Sequence, residues 1–262
     1  MPGKYLLGQL GESSPLISVG ILTADLMSLG SELRLMEKAG IKLLHVDVMD
    51  GCFCPMMTVG PGFIKAIKTP LLKDIHLLIN EPLEKLGGYV AAGADMITVH
   101  VESCLHIHRV LQTLGDMTNI NDPARGILRG IALNPGTPLE VLKPLMDEVE
   151  MIFLLAVNPG WSGQKFISST EVRLRQLINM IREADKDILI GVDGGITRDN
   201  IGDAARMGAD IIVTGSAVFD GRTPLENARF MVNALKNAAK TSNLKLNMMS
   251  TTGSDTGGND EQ

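Results

Sequence analysis

Aromatic residues are scarce in this 262-residue chain, which has one Trp, two Tyr and six Phe, 3% in all. A core with so few rings has to be built from Leu, Ile, Val, Ala and Met, which supply most of the 45% hydrophobic content. Aliphatic runs of that kind mark parallel strands buried on both faces. Cysteine is rare too. Cys52, Cys54 and Cys104 form no C-x-x-C pattern and cannot all pair, which excludes a disulfide framework and leaves reduced thiols as the expectation. Clustered positive charge is missing as well: 24 Lys and Arg stand against 30 Asp and Glu, a formal charge of −6 at pH 7. Nucleic-acid surfaces need grouped Lys and Arg to neutralise phosphates, so no nucleic-acid partner is expected. Nothing reaches the length of an apolar membrane span, and no signal-peptide pattern opens the chain. A cytoplasmic protein with no membrane partner is therefore expected.

What is present is alternation. Strand-like runs at Leu16–Leu22, Leu43–Asp47, Asp74–Ile79, Met96–His100, Gly130–Leu133, Met151–Val157, Ile188–Val192 and Asp210–Thr214 are separated by amphipathic, helix-like segments. Eight such units are the number a closed (β/α)8 barrel needs, and the length fits one barrel without a second domain. The expected fold class is thus α/β, a single (β/α)8 TIM barrel over residues 15–240. Residues 1–14, polar and Gly-rich, read as an irregular N-terminal arm, and residues 241–262, rich in Ser, Thr, Gly, Asn and Asp, as a disordered tail. Helices are expected at Leu139–Met146 and, behind the capping-box spacing Thr223-Pro224-x-Glu226, at Leu225–Ala239. Ala39-Gly40, Ala92-Gly93 and Met207-Gly208 read as glycine-terminated helix ends leading into strands.

The chemistry is concentrated in two of the strands. In His45-Val46-Asp47-Val48-Met49, side chains alternate between faces, so His45, Asp47 and Met49 share one face. An isolated His-x-Asp carries little weight, since a strand His is more often a satisfied core residue. Here Asp74-Ile75-His76-Leu77-Leu78 repeats the arrangement, and a third apolar run ends in Asp193-Gly194-Gly195. In a parallel barrel these groups meet at the C-terminal ends of the strands, where active sites sit. Imidazole and carboxylate together suit a mid-series divalent ion. The loops Asn158–Phe166, Asp193–Gly195 and Gly215–Ala217 fall on the same end, the last two at the barrel's usual phosphate station. Two carboxylates beside one cation suggest removal of a proton next to a carbonyl from one face and its return to the other, which inverts the carbon and makes an epimer.

Across Ser18 to Ala239 the chain resembles the ribulose-phosphate 3-epimerase family. The resemblance rests on Ile21-Leu22-Thr23-Ala24-Asp25, HVDVMDG at His45–Gly51, DIHL around His76, ALNPGTPLE from Ala132, VNPGWSGQKF from Val157, VDGGI from Val192 and GSAVF from Gly215. It implies that His45, Asp47, His76 and Asp193 bind one divalent metal ion, with Asp47 the proton acceptor and Asp193 the proton donor. Zinc or ferrous iron is the expected metal, with manganese or cobalt compatible. The substrate implied is a phosphorylated ketose, held by Met49, His76, Gly160, Trp161, Ser162, Gly163, Gly194, Gly195, Gly215 and Ser216, in a homo-oligomeric enzyme. Departures from the family pattern are Val19-Gly20 in place of Pro-Ser, Leu78 and Leu155 in place of Met, Met56 in place of Asn, and Trp161-Ser162 in place of Phe-Gly. Three readings follow: 3-epimerisation of D-ribulose 5-phosphate to D-xylulose 5-phosphate, the same reaction on a ketohexose phosphate such as allulose 6-phosphate, or a metal- or phosphate-binding paralogue without turnover. Two retained acid/base carboxylates argue against the last.

Overall fold

The computed structural model describes residues 4–161 and 163–251. After an N-terminal helix, α1 (Lys4–Ser13), eight parallel strands close into a barrel in chain order: β1 (Leu16–Gly20), β2 (Leu43–Met49), β3 (Leu72–Leu78), β4 (Met96–His100), β5 (Leu128–Leu133), β6 (Met151–Leu155), β7 (Leu189–Asp193) and β8 (Ile211–Thr214), the last pairing with β1. Helices α2 (Leu29–Ala39), α3 (Pro61–Ala66), α4 (Leu86–Ala91), α5 (Ile107–Gly115), α6 (Ser169–Glu183), α7 (Ile201–Arg206) and α8 (Pro224–Thr251) lie between and after the strands. The chain is a single (β/α)8 TIM barrel.

Strand alternation creates two cores. Val46, Val48, Ile75, Leu77, Ile97, Val99, Ile152 and Leu154 point outward and pack beneath the helices. Leu43, Met96, Leu128, Met151, Phe153, Leu189 and Ile211 point inward and fill the lumen. Phe153 fits only because β7 has no side chain at Gly191: a Cβ there would lie 2.2 Å from the ring. Gly191→Ala should therefore destabilise the fold by about 1–3 kcal/mol through overpacking. Its midpoint in a urea titration should fall while the slope stays the same; an unchanged midpoint would mean that Phe153 can move aside.

The sequence expectation fails at both termini and in one connecting segment. Residues 4–13 are helical, not irregular. Leu6, Leu7 and Leu10 share one face of α1 and are buried against Leu43, Met96, Leu128, Met151 and Leu189, each the first residue of its strand. The helix thus closes the N-terminal mouth of the barrel, its apolar stripe drawn there by lumen surface that would otherwise meet water. At the other terminus α8 runs on to Thr251, since no Gly or Pro interrupts the chain between Pro224 and Gly253. The remainder of the expected tail, 252–262, lies outside the described residues. Residues Leu139–Leu145 form a 3-10 helix instead of an α-helix, because Pro144 lacks the N–H that an α-helical turn needs there. Gly40, Gly93 and Gly208 end their helices in left-handed conformation, with φ of 84°, 92° and 91°, as their spacing predicts.

Candidate active site

At the opposite, C-terminal mouth the inward face turns polar. The dipeptide order is reversed between β2, His45-x-Asp47, and β3, Asp74-x-His76. The in-register pairing His45↔Asp74 and Asp47↔His76 therefore sets an imidazole beside a carboxylate at two successive levels. His45 Nδ1 is 2.7 Å from Asp74 Oδ2, and His76 Nδ1 is 3.0 Å from Asp47 Oδ1. The Ser18 hydroxyl of β1 donates to the same Asp74 oxygen at 2.8 Å. Asp193, at the end of β7, brings its Oδ2 to 3.6 Å from His76 Nδ1 and 4.0 Å from His45 Nε2.

One ligand atom each from His45, Asp47, His76 and Asp193 thus fits within a sphere of contacts no longer than 4.8 Å. The donor set suits a divalent ion. Two imidazole nitrogens and two carboxylate oxygens are standard ligands for zinc and its neighbours, and Asp74 fixes His45 from behind with Nε2 turned inward. Burial works against charge on these groups, and their neighbours decide the outcome. Asp74 and then Asp47 hold His45 well above its usual value despite its burial. Asp47 is held far below the usual carboxylate range, the charge of His45 and hydrogen bonds from His45 and His76 outweighing its desolvation. Asp193 behaves in the opposite way: burial, reinforced by the Asp47 carboxylate, pushes it up to about 6.

The site opens into a cavity of about 270 Å³. Asp47, Asp193, Trp161, Gly163, Gly194, Gly195, Gly215 and Ser216 line it, together with Gly20, Thr23 and Gln164. Gly194 and Gly195 have φ of 102° and 67°, a pair of left-handed residues that turns backbone rather than side chains toward the cavity. Not every expected residue lies here. Gly160 packs under the loop after β2, where a Cβ would meet Cys54 and Pro55 at 2.8 Å, so loop packing accounts for that glycine. Met49 and His76 sit on β2 and β3 beside the carboxylates but do not line this cavity, and Ser162 lies outside the described residues. Leu78 and Leu155, at the positions of the family's Met, are buried.

The family model described as the ribulose-phosphate 3 epimerase family matches residues 16–219. The chain belongs to that family. It is an epimerase, and its relatives bear this out. The ribulose-phosphate 3-epimerase of Bacillus subtilis (strain 168) is 38% identical over 206 residues, 78% of this chain and 91% of that protein. A putative epimerase, LsrE of Salmonella typhi, is 37% identical over 214 residues, 81% of this chain and 84% of that one. Among solved structures, 3-hexulose-6-phosphate synthase from Salmonella typhimurium superposes with a TM-score of 0.60 at 19% identity, covering 85% of this chain and 99% of that one, a likeness of fold alone.

Sequence reasoning placed Asp74 on the metal-site face of the epimerase without assigning it a role, and it missed Ser18, His100 and Glu102. His100, the last residue of β4, is completely buried and sets its Nε2 2.9 Å from His76 Nε2. Its Nδ1 lies 3.1 Å from Glu102 Oε2. Burial pushes the His100 pKa down to about 4, so the ring is neutral at physiological pH. Phe53 covers it, ring centroids 4.7 Å apart, and is held there because Asp50 Oδ1 accepts from the Phe53 and Cys52 amides at 2.9 Å. The signal in the sequence was His100-x-Glu102 at a strand end, a third pairing of imidazole and carboxylate two residues apart. No helix among the described residues is long and apolar enough to cross a membrane.

Proposed function

We propose that this epimerase inverts C3 of a ketose phosphate, D-ribulose 5-phosphate to D-xylulose 5-phosphate, using Asp47 and Asp193 as opposed proton carriers beside one divalent ion. The observation that carries the reading is geometric: two carboxylates, Asp47 and Asp193, meet the imidazoles of His45 and His76 in one cluster that opens into the cavity. Burial and the Asp47 carboxylate push Asp193 up, while His45 and His76 hold Asp47 down against its own burial, a contrast in line with one acting as acid and the other as base. Asp47 takes the C3 proton from one face as the C–H electron pair moves into the C2 carbonyl. Asp193 then delivers a proton to the opposite face as that pair returns. His45, Asp47, His76 and Asp193 would hold the ion, which would supply positive charge beside the substrate oxygens that become negative as the proton leaves. Zinc or ferrous iron fits the mixed N/O donors best, with manganese and cobalt compatible. The glycine loops after β7 and β8 take the phosphate through backbone N–H groups.

The second reading, a ketohexose phosphate as substrate, draws on Gly20. It lines the cavity without a side chain, and a Cβ there would meet Gly215 Cα at 3.7 Å, an ordinary contact. The same spacing lets Gly20→Ser fit without moving the backbone. Turnover of pentulose and hexulose phosphates by metal-loaded protein tests both readings. Gly20→Ser should raise kcat/KM for ribulose 5-phosphate between about twofold and tenfold, the worth of one hydrogen bond to substrate, and lower it for any accepted hexulose phosphate. If both values stay put, position 20 does not touch the sugar.

A further inference from the structure

The geometry points to a second binding site, for the phosphate group of a small organic molecule, in a cavity at the N-terminal end of the barrel, on the face opposite the candidate active site. This site goes beyond the epimerase reading and does not depend on it.

The cavity, of about 710 Å³, lies among the segments that lead into β3, β4 and β5. Its size is that of a small-molecule pocket. Four cations line it, Lys65, Lys68, Lys73 and Arg125, against two carboxylates, Asp95 and Asp122. This excess of positive charge is local, since the whole chain carries −6. Lys65 ends α3, Lys68 follows it, Lys73 is in β3 and Arg125 stands in the loop before β5, so the fold assembles a group that forms no basic run in sequence.

The two carboxylates do not serve the lysines. Asp95 is buried and saturated: Oδ1 accepts from the side-chain amides of Asn119 and Asn121 at 3.1 and 3.0 Å and from Arg125 Nη2, and Oδ2 accepts from the Lys73 amide at 2.9 Å. Asp122 Oδ1 accepts from the Ala124 amide at 3.1 Å, within its own loop. Among the described residues, none of the three lysines forms a salt bridge.

Lys73 is the group this leaves most exposed to cost. It is buried, and its Nζ donates to the carbonyls of Ile64 at 2.9 Å and Ala92 at 3.4 Å, which fix the ammonium without supplying a counter-charge. A cation taken out of water without an anionic partner is unfavourable. Burial accordingly lowers the Lys73 pKa, opposed by the charge of Asp95 and reinforced by that of Lys68. Arg125 repeats the pattern: Nη2 is taken up by Asp95, while its buried Nε has no hydrogen-bond partner among the described residues. A fixed ammonium, a free guanidinium N–H and the exposed Lys65 and Lys68 suit one anion with several acceptor oxygens, which a phosphate group offers and a lone carboxylate does not. Ile67, Leu71 and Ile120 line the same cavity and give an organic body apolar surface to meet.

Inorganic phosphate titrated into 15N-labelled protein, with sodium chloride at equal ionic strength as control, tests the site. The amides of Lys68, Gly93 and Asn121 should shift saturably with phosphate and not with chloride; a Cβ on Gly93 would lie 3.4 Å from Lys73 Nζ, so its amide reports directly on that ammonium. Gly215, at the other mouth, reports separately on phosphate at the candidate active site, so failure of one site leaves the other standing. Reversing two exposed charges in the double variant Lys65→Glu, Lys68→Glu should weaken phosphate binding at Gly93 and Asn121 at least about tenfold, the worth of one charged hydrogen bond. Phenyl phosphate should half-saturate the same amides at a concentration at least about fourfold lower than inorganic phosphate, the worth of burying one CH2 group. Shifts at Gly93 and Asn121 that are missing, or that chloride reproduces, overturn the inference in wild-type protein without any variant. An unchanged midpoint in the double variant overturns it as well, and equal midpoints for phenyl and inorganic phosphate overturn the assignment to an organic phosphate.

Discussion

Asp47→Asn and Asp193→Asn should each slow epimerisation of ribulose 5-phosphate by at least about a hundredfold, the lower end of what a positioned acid or base contributes. Asn keeps the volume of Asp but has no basic oxygen to take the proton and no carboxyl proton to return. The two losses should differ in character. Asp47 is the ionised partner and Asp193 the one whose burial and like-charged neighbour hold it near a pKa of 6. Asp47→Asn therefore stops proton removal from ribulose 5-phosphate. Asp193→Asn leaves removal possible but takes away the donor on the far face. Both residues also belong to the metal cluster, so the comparison is made at equal metal content, measured by elemental analysis. A variant with full metal that turns over near the wild-type rate would remove its carboxylate from the chemistry.

His76→Ala should abolish stoichiometric metal binding while leaving the far-UV spectrum unchanged. His76 offers one of the four potential ligand atoms brought together among the described residues. Its removal also leaves the Nε2 of completely buried His100 without its partner at 2.9 Å. An unpaired buried polar atom costs about 1–3 kcal/mol, enough to lower the thermal midpoint without unfolding a barrel whose aliphatic layers lie elsewhere. Metal content equal to wild type after this change would mean that His76 is not a ligand.

The barrel was legible in the sequence because its signals are local. Aliphatic alternation, glycine-ended helices and eight repeats each follow from the chain read a few residues at a time. The meeting of the two His and two Asp was legible for the same reason, since strand parity puts His45 with Asp47 and repeats the arrangement at His76, while Asp193 ends its apolar run at the same mouth. Roles that depend on register were not. Asp74 meets His45 because β2 and β3 pair without offset, and His100 meets His76 because β4 ends beside β3, and neither alignment is written in either strand by itself. At the N-terminus, Gly8 and Gly11 read as an arm, yet the pattern Leu6, Leu7, Leu10 was the stripe that closes the barrel floor. The arm reading rested on the glycines and polar residues alone; burial of the leucines against the lumen is what makes the segment a helix in the folded chain.

The central claim, that a proton leaves C3 to one carboxylate and returns to the other face from a second, is tested most directly in deuterium oxide. Metal-loaded protein is incubated with ribulose 5-phosphate and the products are followed by proton NMR. Because the Asp193 carboxyl proton exchanges with solvent, each xylulose 5-phosphate formed should carry deuterium at C3, while ribulose 5-phosphate recovered early should still carry hydrogen there. Xylulose 5-phosphate retaining its original C3 hydrogen, or no epimer at all from fully metal-loaded protein, would contradict the account.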